Sequence, residues 1–149
     1  MSGQLDHSPA RIIRELLIDL SSGSATSGLS SDWAVTVGDL PDTPDNVMMI
    51  RDSQGILDGR AMVGGLRLIM HGFQVTIRAQ DQQSGYLQAN DIAVAVDAVW
   101  NSTVIIGSST YLVTAISRTG DVIYVGTDKP QSNLHLFTIN ARVSLVKTA

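Results

Sequence analysis

Apolar and polar residues alternate without a break from Phe73 to Gln80. Phe73, Val75, Ile77 and Ala79 share one side and Gln74, Thr76, Arg78 and Gln80 the other. Side chains in a strand switch face at every residue, so this stretch predicts a half-buried strand. A short polar turn, Asp81 to Gly85, follows. The period then changes: Ala89, Ile92, Ala93, Val96, Val99 and Trp100 fall at three- and four-residue spacing, one apolar stripe on a helix that closes on Trp100 as a core residue. A strand and the helix after it cover each other's apolar faces, so His71 to Trp100 is expected to seed the core.

The same reading extends along the chain. Ser8 followed by Pro9 is a capping hydroxyl with proline at the first helical position, and Ile12, Ile13, Leu16, Leu17 and Leu20 form the stripe of the helix that follows. Residues 1–7 are polar and predict a flexible terminus; Ser21 to Ser31, rich in Ser and Gly, predicts a linker within the domain. Trp33 to Val37 and Val47 to Arg51 are short strand candidates around the proline-bearing turn Leu40 to Asn46. Thr103 to Ile106 opens a second run of strands. In it, Tyr111 to Arg118 and Val122 to Val125 flank Thr119-Gly120, a hairpin turn signal. The last strand is the longest, with His135, Phe137, Ile139, Ala141, Val143 and Leu145 on one face. Helix, strands, helix, strands, joined by hairpins, predicts an α+β fold: a mostly antiparallel sheet with two helices packed on one face and an additional β-hairpin, all in one domain spanning 1–149.

Gln54 to Leu66 departs from these patterns. Four glycines interleave with Ile56, Leu57, Met62 and Val63. A solvated loop has no use for those side chains, so they either tuck against their own domain or dock on a neighbouring subunit, where Met and Leu are common.

The totals sharpen this. The 149 residues suit one domain with a real core, and 44% hydrophobic against 16% charged residues is a globular balance with unusually little charge for a free-standing surface. Net charge is −4, whereas a chain that grips nucleic acid through its phosphates usually carries a basic excess. There is no cysteine, hence no disulfide and no thiolate metal site, and no apolar run near the roughly 20 residues of a membrane helix. Candidate chemistry is sparse. His7, His71 and His135 are far apart and outside any metal-protease pattern; no serine sits in a nucleophile elbow, and no phosphate-binding glycine loop occurs. Asp52 and Asp58 bracket the glycine-rich segment, but their oxygens are not spaced as a calcium loop requires. Tyr86, Trp33 and Trp100 are too scattered for a base-stacking platform. No catalytic, cofactor or metal residue is assigned.

Four stretches in order resemble one family. Gly72 to Ala79 (GFQVTIRA), then Tyr86 and Ala89 on a helix, is similar to the core of tailed-bacteriophage tail terminators, also called minor capsid or neck proteins. Pro44 to Gly55, Tyr111 to Asp128 and Leu136 to Val146 resemble that family's first core strand, central hairpin and final strand, so the likeness spans about residues 8 to 147. The resemblance implies a virion protein, assembled in the host cytoplasm, that forms a homo-oligomeric ring, typically of six copies. The ring would sit at the head-proximal end of the tail tube, with the tube protein on one side and a head-side connector on the other. Genomic DNA would pass through its lumen without specific binding. Related connector and tail-completion proteins share the fold and remain an alternative. A small enzyme or ligand-binding domain, built from scattered Asp, Ser and His, is the competing class.

Overall fold

The computed structural model describes residues 5–23, 33–40, 46–60, 67–127 and 134–148. Helices α1 (Pro9–Gly23) and α2 (Gln82–Asp97) accompany strands β1 (Ala34–Val37), β2 (Val47–Arg60), β3 (Arg67–Ala79), β4 (Trp100–Ile106), β5 (Ser109–Arg118), β6 (Ile123–Thr127) and β7 (His135–Lys147). The strands make one mixed seven-stranded sheet in the order β1-β2-β3-β7-β5-β4, with β6 also on β7. β1 runs parallel to β2 and every other ladder among the described residues is antiparallel, so hairpins do not account for the whole sheet.

The alternation read in the sequence fixes register. Ile50, Val75 and Ile139 are cross-strand neighbours, as are Met48, Ile77 and Phe137. These side chains lie in one buried cluster with Phe73, Val143, Ile92, Val96 and Leu16, and Leu20 packs against its rim. Both helices therefore contribute to the core on this face of the sheet, the inner face. At each rung a large aliphatic or aromatic group replaces water, worth about 1.5–3 kcal/mol per side chain.

Each helix is positioned by its ends. Ser8 Oγ accepts from Arg11 N at 3.3 Å, and Asp52 Oδ1 on β2 accepts from Ala10 N at 2.9 Å, so the first turn of α1 is capped from its own sequence and from the sheet. Arg14 Nε donates to Val35 O at 2.9 Å and ties α1 to β1. Asp81, expected inside a turn, is the N-cap of α2: its Oδ2 accepts from Ser84 N at 3.0 Å. Gly85 then falls in the first turn of the helix, where a Cβ would lie 2.7 Å from Phe137 Cε2, so helix and strand meet only because the side chain is missing. At the other end Asp97 takes both Nε and Nη2 of Arg118 at 2.9 Å.

Four expectations are corrected. Trp100 does not close the helix stripe: it is 75% exposed at the start of β4, next to Asn101 at φ 45°, and Val99 is the last buried residue of the stripe. β5 and β6 are not a hairpin, because both pair with β7. Arg118 faces Ala141 and Ile123 faces Thr138, five residues of progress against three, so the Thr119-Gly120 stretch is an insertion along one edge of β7. The hairpin of this region is β4–β5, turning at Gly107-Ser108 with Gly107 at φ 60°. The terminus is anchored from Leu5 onward: Asp6 Oδ2 takes Ser109 Oγ at 2.7 Å and Lys147 Nζ at 2.8 Å, and His7 Nδ1 lies 2.7 Å from Tyr111 OH. Finally, α1 runs through Gly23, into the expected linker, whose positions 24–31 lie outside the described residues.

Candidate functional site

Gln54 to Leu66 is not a free loop. Its described part, up to Arg60, is strand β2, which pairs with the start of β3 at Arg67 as the outer half of a long antiparallel pair; residues 61–66 lie outside the described residues. The inner half is a sheet interior: Val47–Ile50 pairs with β1, and β3 from Met70 to Ala79 pairs with β7. Past the Ile56↔Met70 rung, where Met70 still pairs with Ser144, β2 and β3 pair only with each other, through Leu57↔Ile69 and Arg60↔Arg67. β7 continues past Ser144 to Lys147 without forming a ladder to Arg67–Ile69, so the two strands leave the sheet as an arm. A two-stranded ribbon alone is marginal in water, which makes the arm a segment in need of a surface.

Local backbone geometry starts the arm. Register slips occur between Ser53 and Ile56 and again between Leu57 and Arg60. At the first slip Gly55 and Gly72 allow the strands to close on each other: a Cβ on Gly72 would stand 2.6 Å from Ser53 Oγ and 2.7 Å from the Gln54 carbonyl carbon, and one on Gly55 would collide with the Met70 carbonyl oxygen. Of the four expected interface residues, Ile56 is 41% exposed at the base of the arm and the Leu57 backbone pairs in it. Met62 and Val63 lie outside the described residues.

A second feature escaped the sequence reading. On the face of the sheet turned away from the core, Arg51 Nε donates to Gln74 Oε1 at 2.6 Å and Gln74 Nε2 to Asn140 Oδ1 at 3.0 Å, a polar lane across β2, β3 and β7. Arg142, one rung further on β7, has a buried Nε with no hydrogen-bond acceptor. The even positions of β3 and β7 were legible as polar; that they align into one lane depends on register.

The remaining candidates resolve into structural roles. A cleft of about 360 Å³ at the arm's base is lined by Pro9, Asp52, Ser53, Gly55, Ile56, His71 and Gly72. Burial pushes the His71 imidazole down from its ordinary value, opposed by the charge of Asp52, so His71 enters the neutral range as a neutral ring. Asp52 is committed to the α1 cap. His7 sits on Tyr111, and His135 Nδ1 lies 2.9 Å from Tyr124 OH. Lys147 and Ser109 hold the Asp6 carboxyl below the usual range, and Asp97 raises Arg118. Among the described residues no three His, Asp or Glu side chains converge, and no helix is long and apolar enough to cross a membrane.

No protein-family model matches the chain, and no curated protein does. Solved structures do. A chain from the virion of a native gene transfer agent (GTA) particle superimposes with a TM-score of 0.56 at 9% identity, over 95% of this chain and 99% of that one. A second solved chain gives a TM-score of 0.48 at 17% identity, over 96% and 99%. The first establishes a shared fold, carried end to end.

Proposed function

We propose that the protein is a structural component of a virion: a tail terminator of the tailed-bacteriophage type, forming a ring of six copies at the head-proximal end of the tail tube. The observation that carries this reading is the fold shared almost end to end with a chain of a gene transfer agent virion, with neither chain leaving a domain over. The ordered resemblance of four sequence stretches to tail terminators supports it.

The arm supplies a means. A tail tube is a stack of rings whose head-to-tail contacts repeat without closing, so growth continues until a different subunit occupies the tip. Around the ring, heterologous contacts close because a fixed rotation returns to the start. A two-stranded arm can lay Ile56 and Leu57 on the neighbouring copy, with Met62 and Val63 of the same sequence segment as the further expected contacts, while the remaining loops meet the tube protein below and the connector above. The work is positional: no nucleophile, metal or cofactor takes part, and DNA passes without being gripped. The subunit assembles in the host cytoplasm and ends in the neck of the particle.

Deleting the gene and imaging the lysate tests the reading. Tubes of abnormal length, or finished tails that never join heads, are the expected result. Normal virions with normal tails would sink it.

A further inference from the structure

α2 is apolar on both sides. Its inner side is buried through Ala89, Ile92, Ala93 and Val96. Its outer stripe, at spacings of four, three and four, is Leu87, Asp91, Val94 and Ala98, and Leu87 is 51% and Val94 64% exposed. A surface helix normally carries polar residues there, and a Leu and a Val two turns apart gain stability only when something covers them. Asp91 stands between them with no side-chain partner among the described residues.

The opposite side of the molecule is the complement. The outer sheet face carries Arg51, Gln74, Asn140 and Arg142; the Arg142 Nε is buried, and its guanidinium, on a half-buried residue, has no side-chain partner among the described residues. Among the described side chains the strands hold one carboxylate, Asp52, and it turns inward to cap α1. Although the chain's net charge is −4, the described charged side chains on this outer face are arginines, so the face is cationic. A guanidinium presents a fork of donors that fits a carboxylate.

We propose that the outer stripe of α2 docks on the outer sheet face of a second copy, with Asp91 against Arg142 and with Leu87 and Val94 covering the half-exposed rungs beside it. The two surfaces differ and lie on opposite sides of one subunit, so every copy gives one and receives the other. That is a heterologous contact, the kind that closes a ring. The inference builds on the ring reading and supplies one of its contacts. Duplex DNA could neutralise Arg51 and Arg142 but would leave Leu87 and Val94 bare; a second copy covers both surfaces at once.

Sedimentation of the full chain over a concentration series, with thermal melts alongside, decides the matter. The wild type is expected to self-associate. Val94→Lys and Asp91→Arg should each weaken association by about tenfold or more, with melting unchanged, because both positions are on the helix surface. Arg142→Glu should do the same, and mixing it with Asp91→Arg should restore association, since each reversed charge then meets its opposite. If Arg142→Glu fails to fold, the two helix variants still decide. Three outcomes overturn the inference: a wild type monomeric at every concentration, helix variants that sediment like wild type, or binding of short duplex DNA that Arg142→Glu abolishes while self-association persists. None of them alters the tube-length phenotype, on which the terminator reading stands or falls separately.

Discussion

The inner and outer halves of the β2–β3 hairpin are built by one ladder and live in different surroundings. Inside, Met48 and Ile50 face Ile77 and Val75, with β1 on one flank and β7 on the other, and the side chains are at most 2% exposed. Outside, from Leu57↔Ile69 to Arg60↔Arg67, the same two strands keep pairing with no third strand, and Ile56, at the last rung that β7 still flanks, is already 41% exposed. Backbone pairing alone therefore does not distinguish sheet from arm. The difference is what covers the side chains, and it begins at the slip where Gly55 and Gly72 press together. The inner half is held by the fold; the outer half lacks the flanking strands that would cover it.

The contrast can be broken most severely from the inside. Phe137→Ala removes a side chain 1% exposed that touches both tyrosine rings at its rim, and should cost about 3–5 kcal/mol in chemical denaturation. Ile77→Ala should cost about 2–5 kcal/mol by the same mechanism. At the boundary, Gly72→Ala forces a methyl against the Gln54 backbone, which cannot swing aside as a side-chain end would; about 1–3 kcal/mol should be lost, with the arm rather than the core becoming sensitive to limited proteolysis. In the Gln54 to Leu66 segment, Leu57→Lys with Met62→Lys should change folding stability by no more than about 0.5 kcal/mol yet lower the yield of joined particles in a complementation assay. A melted fold would show that these residues serve their own domain. The smallest expected effect lies far from the hairpin. Asp6 has its carboxyl pKa lowered by Lys147 and Ser109, so its contribution is present above the ordinary carboxylate value of 3.8 and is lost as pH falls through the lower folded-state value. Asp6→Asn should therefore melt slightly earlier than wild type at neutral pH, and the gap should close on acidification; a gap that persists in acid would contradict the ion pair.

The errors of the sequence reading have physical causes. Thr119-Gly120 carries real turn chemistry, but the flanking strands are both recruited by β7, whose 13 residues offer an edge long enough for two partners. Trp100 matched the helical period by spacing, yet α2 ends at Asp97 and Asn101 takes a left-handed backbone, which carries the Trp ring out to solvent. Gln54 to Leu66 broke the strand pattern because glycine is poor in strands, and at Gly55 it is needed for close approach of two backbones. The proposed interface residues Ile56, Leu57, Met62 and Val63 rest on a one-segment rule, apolar groups without a local use, whereas the polar lane of Arg51, Gln74 and Asn140 could not be found by any rule confined to one strand.

By itself the sequence determined the local periods of the inner strands and of both helices, which face of each is apolar, where Ser8-Pro9 starts a helix, and hence most of the core but not Trp100, nor the extension of β2 to Arg60. Those follow from side-chain spacing on a single segment, and no partner is needed to specify them. Only the tertiary structure decided that β1 lies parallel to β2, that β7 enters between β3 and β5, that the β2–β3 pair outgrows the sheet into an arm, and that Arg142 falls on the outer sheet face while Leu87 is exposed on α2. These depend on which strands find each other across long separations, a choice settled by summed burial over the whole chain.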